Sequence, residues 1–228
     1  MFVRNAAADA SPRPNSLREL GMTSDSNPVI SLNEFTYKKG TEIYGEKEPA
    51  DYVYQVKRGA VRSYKLLTDG RRQIGAFHLV GDIFGLENGG EHRFTAEAIV
   101  DTAVRLIRRQ SLELVAESDA MVARNLLSMT NSNLQHAEDH MLLLGRKTSL
   151  ERVAAFLIEM DKRLTAAGIM ALPMSRRDIA DYLGLTLETV SRALSRLHEL
   201  GILGFIGNNQ RQIILLDRQQ LASLDLQN

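Results

Sequence analysis

The segment Ser175–Gly201, "SRRDIADYLGLTLETVSRALSRLHELG", constrains this chain more than any other stretch. It carries the punctuation of two short helices. Ser175 is followed three residues later by Asp178, a capping-box pattern with Asp in place of Glu. Ile179, Ala180 and Leu183 supply an apolar face, and Gly184 can take the left-handed conformation that ends a helix. Leu185 is expected to pack inward and Thr186 to cap the second helix. There Leu187, Val190, Leu194 and Leu197 recur at steps of three and four, the spacing of a stripe laid on a core. The opposite side holds Glu188, Ser191, Arg192, Ser195 and Arg196. Two short helices joined by about three residues around a glycine predict a helix-turn-helix. The following "GILGFIGNNQRQIILLD" reads as strand, tight polar turn and strand, which adds a wing.

In such a unit the second helix enters the DNA major groove with its N-terminal residues at base edges. Glu188 can accept from a cytosine amino group, and Arg192, one turn on, can grip guanine O6 and N7. Ser191 is small enough for close approach, and Leu187 completes the base-facing set. Arg176 and Arg177 stand at the positive end of the first helix and suit phosphate anchoring, as do Ser175, Thr189 and the wing's Arg211. Alone, Glu188 and Arg192 would be an ordinary i,i+4 surface pair worth roughly a few tenths of a kcal/mol. The capped two-helix context with its wing gives the DNA reading its weight.

Upstream the chain changes character three times. Residues 1–28 are rich in Ala, Ser, Asn, Asp and Pro and predict a mobile tail. Residues 29–110 are short apolar-aromatic runs broken by turn signals, among them a hairpin-forming Asp69-Gly70. Many short strands so spaced predict a small β-barrel or jelly roll, although alternation within each run is loose. Residues 111–146 read as a long helix. Ala123, Leu127, Thr130, Leu134, Ala137, Met141 and Leu144 step alternately by four and three, a heptad seam on an otherwise polar helix. Such a seam favours pairing with a second copy over packing within one domain. Residues 147–228 then form the winged helix-turn-helix unit, led by "SLERVAAFLIEMDKRL" with Val153, Phe156, Leu157 and Met160 on its apolar side. Between that helix and Ser175, "TAAGIMALPM" reads as a turn with a strand. The fold class is therefore α+β: a β-roll, a long dimerisation helix and a winged helix-turn-helix.

Composition narrows the function. The chain has no cysteine, which excludes disulfides, zinc fingers, thiol switches and thiolate-held iron–sulfur clusters. No apolar run suggests a membrane span and no secretory h-region is legible, so a cytoplasmic location is expected. Formal net charge is zero, which a local basic face tolerates.

"RRDIADYLGLTLETVSRALSRLHELGIL" resembles the DNA-binding motif of the CRP/FNR superfamily of bacterial transcription regulators. The "ETVSR" core, Glu188–Arg192, is similar to the FNR and FixK branch, where the matching Glu, Ser and Arg read a TTGA-type half-site. "DGRRQIGAFHLVGDIFGLENG" resembles the β-roll of the FixK-like group, and "KTSLERVAAFL" the helix after the family's dimerisation helix. The resemblance implies a homodimer on a TTGAT–N4–ATCAA-like palindrome, with RNA polymerase as the protein partner. Members that bind cyclic AMP carry a Gly-Glu pair and an Arg-Ser or Arg-Thr pair. Here Gly85 is followed by Leu86, and Phe94 separates Arg93 from Thr95. The resemblance therefore implies a regulator, an activator, set by its amount rather than by a small effector.

The alternative expectation is a sensor whose roll grips a small anion through Arg93 or through Arg71 and Arg72. His136 and His140 have a metal-capable i,i+4 spacing but no evident third ligand, and read as a solvated helix face. His78, Glu87 and His92 read as structural rather than as a cupin-type metal site. No nucleophile–base set or phosphate-cradling loop is present, so neither catalysis nor a cofactor or metal is expected.

Overall fold

The glycine-punctuated segment folds as two antiparallel sheets laid face to face. In the computed structural model, which describes residues 33–87, 90–207 and 210–225, its strands are β1 (Asn33–Tyr37), β2 (Glu42–Tyr44), β3 (Tyr52–Arg58), β4 (Val61–Leu66), β5 (Arg72–His78), β6 (Ile83–Phe84), β7 (Thr95–Ala98) and β8 (Thr102–Arg108). One sheet runs β1-β8-β3-β6 and the other β2-β7-β4-β5. The tail read over 1–28 and the tip of the wing turn at 208–209 lie outside the described residues. Gly70 (φ 81°) sits in the β4–β5 hairpin where the Asp-Gly pair predicts a turn. At the β3–β4 turn only glycine fits: a Cβ on Gly59 would stand 2.5 Å from Thr102 Oγ1 and 2.7 Å from the Asp101 carbonyl oxygen.

The loose alternation has a physical cause. Successive residues Val53, Tyr54, Gln55 and Val56 of β3 are all buried. Tyr54 and Val56 face the roll interior with Tyr44, Phe84 and Val104. Val53 turns outward, with Ile107, onto Leu112, Val115, Val122 and Met129 of the helices. A sheet covered on both faces has no polar face to alternate with.

The span 111–146, expected as one helix, is two: α1 (Arg109–Ser118) and α2 (Ala120–Arg146). Asp119 breaks it with an extended backbone, and its carboxylate accepts from the Met121 and Val122 amides to cap α2. The outer face of α2 exposes Leu127 (61%), Leu134 (58%) and Met141 (65%). Ala137 and Thr130 are exposed beside them. Leu144 departs from the seam: it is half-buried, and its Cδ2 lies 3.5 Å from where a Cβ on Gly184 would be.

Beyond α2 come α3 (Ser149–Leu164), β9 (Thr165–Ala166), β10 (Ile169–Ala171), α4 (Arg176–Leu183), α5 (Leu187–Glu199), β11 (Leu203–Ile206), β12 (Gln212–Leu215) and α6 (Arg218–Asp225). The wing strands β11 and β12 extend through β10 to β9 as one four-stranded sheet. Helix α6 has no counterpart in the sequence reading. Leu221 is its one fully buried anchor, and Arg218 pairs with Asp161 of α3 at 2.8 Å. Leu221 and the half-buried Leu224 are too short a pattern to read as a helix.

One apolar core runs without interruption from the roll (Ile74, Phe77, Leu79) through α3 (Phe156, Leu157) to α4 and α5 (Ile179, Leu194). Tyr182 is its meeting point, with ring centroids 5.1 Å from Phe77, 6.0 Å from Phe156 and 4.2 Å from His140. The expectation of a solvated histidine face fails here. His140 stacks on Tyr182 with both ring nitrogens buried, and His136 Nε2 lies 3.4 Å from the Tyr182 hydroxyl. That face of α2 is turned inward because α4 and the roll cover it. Among the described residues no helix is long and apolar enough to cross a membrane.

Two half-buried histidines make stability depend on pH. Burial, with Arg163 and His136 adding, pushes His78 down to about 3, and its Nε2 lies 2.8 Å from Ser63 Oγ. Burial and then His136 also lower His140, with Glu159 opposing. The unfolded chain takes up these protons near the ordinary value of 6.5, and the folded chain only at lower pH. Their contribution is therefore complete above about pH 6.5 and is lost as pH falls, by up to about 1.4 kcal/mol per pH unit for each group. Urea unfolding between about pH 7.5 and 5 should show this slope, and His78→Gln should reduce it. A slope identical in the two proteins would remove His78 from the account.

Candidate nucleic-acid interface

The α4–α5 unit is built as its sequence dictates. Ser175 Oγ accepts from the Asp178 amide at 3.2 Å, and Asp178 Oδ2 accepts from the Ser175 amide at 2.9 Å, a complete capping box. Gly184 ends α4 in the left-handed region (φ 63°), and Thr186 Oγ1 caps α5 by accepting from the Thr189 amide at 3.2 Å. Val190, Leu194 and Leu197 are buried, while Leu187 at the helix start and Leu185 before it are half-buried. That stripe rolls the other side of α5 outward. Glu188 and Arg192 are exposed, and Ser191 is half-buried between them. The Glu188 carboxyl is held below its ordinary range by its own backbone N–H and then by the Thr186 hydroxyl, with Arg177 and Arg192 adding. An ionised acceptor and a guanidinium thus share the exposed N-terminal half of one helix.

The residues expected at phosphates divide. Arg177 is exposed beside Thr186, Glu188 and Thr189. It also borders, with Ser175 and Arg211, a cleft against the roll. Arg176 is less free than its sequence position suggests: it donates to Gln210 Oε1 and lies over the Phe205 ring at 5.8 Å, which ties the start of α4 to the wing. Ser175 is engaged in its capping box, and Thr189 Oγ1 lies 3.0 Å from Thr186 Oγ1. Nothing in the sequence pairs Arg176 with Gln210, since 34 residues separate them.

Asp178 does more than cap. Its Oδ1 receives Arg62 at 2.6 Å and Arg72 at 2.8 Å, both from the roll. Burial pushes its carboxyl up, but the Ser175 bonds and the two arginines outweigh this, and the net shift is downward. Arg72 also meets Asp181 at 2.7 Å. The expectation that Arg71 and Arg72 grip an anion is corrected accordingly. Arg72 is neutralised by two carboxylates of α4, and Arg71 folds onto Asp69 at 2.7 Å.

A separate cavity of about 520 Å³ lies between the roll and α2, lined by His78, Phe84, Phe94, Met129, His136 and Ala137 among others. Of its arginines, Arg163 pairs with Asp82 and Glu159, and Arg93 is exposed. Phe94 lies over Gly75, 3.0 Å from where a Cβ would stand. His92 and Glu87 meet at 3.1 Å, with His92 stacked on Tyr44, so that pair holds the roll together. Among the described residues no group of three or more His, Asp or Glu is placed to hold a metal ion.

Comparison with known proteins bears on the same two units. Residues 34–119 match the cyclic nucleotide-binding domain and residues 151–224 the Crp-like helix-turn-helix domain. The chain is 41% identical over 219 residues to the nitrogen fixation regulation protein FixK of Rhizobium meliloti, covering 96% of this chain and 98% of that one. It is 40% identical over 229 residues to FixK of Azorhizobium caulinodans, covering 98% and 88%. The solved structure of FixK2 from Bradyrhizobium japonicum superposes with a TM-score of 0.83 at 70% identity, over 86% of this chain and 98% of that one. A roll, a capped and winged helix-turn-helix and near-full-length likeness agree, and the chain belongs to the CRP/FNR superfamily of DNA-binding transcription regulators, in its FixK-like branch.

Proposed function

We propose that the protein acts in the cytoplasm as a homodimer that binds a palindromic TTGAT–N4–ATCAA-like site and activates transcription with RNA polymerase. The observation that carries this reading is exposed Glu188 and Arg192, with half-buried Ser191 between them, on a helix whose other side is locked by Val190, Leu194 and Leu197. Arg192 takes guanine O6 and N7, Glu188 a cytosine amino group, and Ser191 and Leu187 the adjoining pairs. Arg177, with Arg176, Ser175, Thr189 and Arg211 around it, meets phosphates. The test is a binding titration of wild type, Arg192→Ala and Arg192→Lys against all four base pairs at the G·C position. Arg192→Ala should lose about 1–3 kcal/mol on the cognate pair and little on the others. Lys should not fully restore the preference, because it lacks the planar two-donor fork. Identical rankings in all three proteins would mean that another residue reads this position.

The dimer is assigned to α2. Leu127, Leu134 and Met141 stand exposed along one stripe, with Thr130 and Ala137 between them, while Leu144, expected at its end, is half-buried. Each large side chain would contribute about 1.5–3 kcal/mol on burial against a second copy. Leu134→Asp should give monomers in sedimentation and much weaker binding to the palindrome, and an unchanged dimer would refute the assignment.

Activity is set by the amount of protein rather than by a small effector. In support, Arg163 in the roll cavity is neutralised by its partners and Phe94 occupies space over Gly75. The second reading, a sensor for a small anion, rests on exposed Arg93 at a cavity of about 520 Å³. Calorimetry with cyclic nucleotides separates the two. No saturable heat is expected, whereas binding that also tightens DNA affinity would establish the sensor.

A further inference from the structure

We infer that the β4–β5 hairpin of the roll clamps the α4–α5 unit in orientation, so that Arg62 and Arg72 are positioning residues that set the permitted spacing between half-sites. The inference rests on the palindrome-binding dimer proposed above.

Five charged groups form a layer between the roll and α4. Arg62 bridges Glu97 and Asp178, each at 2.6 Å, and Arg72 bridges Asp178 at 2.8 Å and Asp181 at 2.7 Å. Their side chains are only 14% and 20% exposed, and those of Asp178 and Asp181 7% and 18%. Both guanidinium groups lie over the Tyr64 ring, at 5.8 and 5.6 Å from its centre. The layer joins two strands of the roll to the first and last turns of α4.

The chemistry favours a role in direction over one in stability. Removing five charges from water costs about as much as their attraction returns, so a buried cluster contributes little net stability. What remains is geometry. Guanidinium–carboxylate pairs are directional, whereas the Phe77–Tyr182 contact beneath them is apolar and tolerates sliding. Asp178 is well placed to transmit the constraint. Its Oδ1 takes the two arginines while its Oδ2 takes Ser175, so the clamp pulls on the residue that starts α4. The other end of the chain of contacts is α2, which shares a core with the roll through Val53, Val122 and Met129. In a dimer built on α2, the angle between roll and α4 fixes the distance between the two copies of α5.

The test uses the full-length protein and duplexes in which TTGAT and ATCAA are separated by three, four, five or six base pairs. Wild type, Arg72→Gln, Arg62→Gln/Arg72→Gln and Arg72→Lys are titrated on each, and on the four-base-pair duplex altered at its G·C pairs. Wild type should rank the spacers steeply. The double variant should flatten that ranking by about tenfold, the size of one coupled ion pair. Its base preference at the G·C pairs should stay that of wild type, since α5 is untouched. Arg72→Lys should fall between, because an ammonium keeps the charge but lacks the planar fork that fixes direction at Asp178 and Asp181. An unchanged spacer ranking in the variants, or an equal loss of affinity on every spacer, overturns the clamp; the second result is what general destabilisation would give. Should the double variant not fold by circular dichroism, the spacer series of Arg72→Gln decides by the same criterion. If wild type itself ranks neither spacers nor base pairs, the palindrome reading fails and the clamp falls with it.

Discussion

Everything the protein presents to a partner depends on one buried ring. Tyr182 projects from α4 into the space where roll, α2 and α3 meet, against Phe77, His140 and Phe156. Because close-packed interiors leave few voids, this joint keeps the helix-turn-helix docked on the roll instead of leaving it a module on a tether. Arg152 reinforces it by donating to the carbonyl oxygens of Leu144, Lys147 and Leu183, which ties the ends of α2 and α4 to α3. The orientation of α5 is thereby set by contacts remote from any base.

The two faces of α2 divide the work. Its inner face carries Val122, Met129, His136 and His140 against the roll and α4. Its outer face carries the large side chains of the heptad seam into solvent. Solvent-exposed leucines and methionines at heptad spacing cost a soluble chain something unless a second surface covers them. Symmetry follows if that surface is another copy, and a two-fold protein calls for a two-fold site.

The roll keeps the shape of a ligand-binding domain while its polar groups are turned to other uses. Arg62 and Arg72 hold α4, Arg163 holds Asp82 and Glu159, and Glu87 holds His92. Each is a charge satisfied within the chain. These pairs bind the roll to α4 and to α3, while Arg93 stays exposed at the cavity.

Local chemistry was legible in the chain. The Ser175–Asp178 capping box, the left-handed Gly184, the Thr186 cap, the stripe of α5 and the polar trio opposite it act over a few residues, so their signals are contiguous in the chain. The heptad seam was legible for the same reason. The rest came from packing between distant elements. It split α1 from α2 at Asp119, turned His136 and His140 inward, added α6 on Leu221 and Leu224, and drew Arg72 away from solvent to carboxylates more than a hundred residues on. Those outcomes depend on which surface meets which. A pair such as Arg62 and Asp178, with 116 residues between them, leaves no periodic trace, because its partners become neighbours only when separate elements pack.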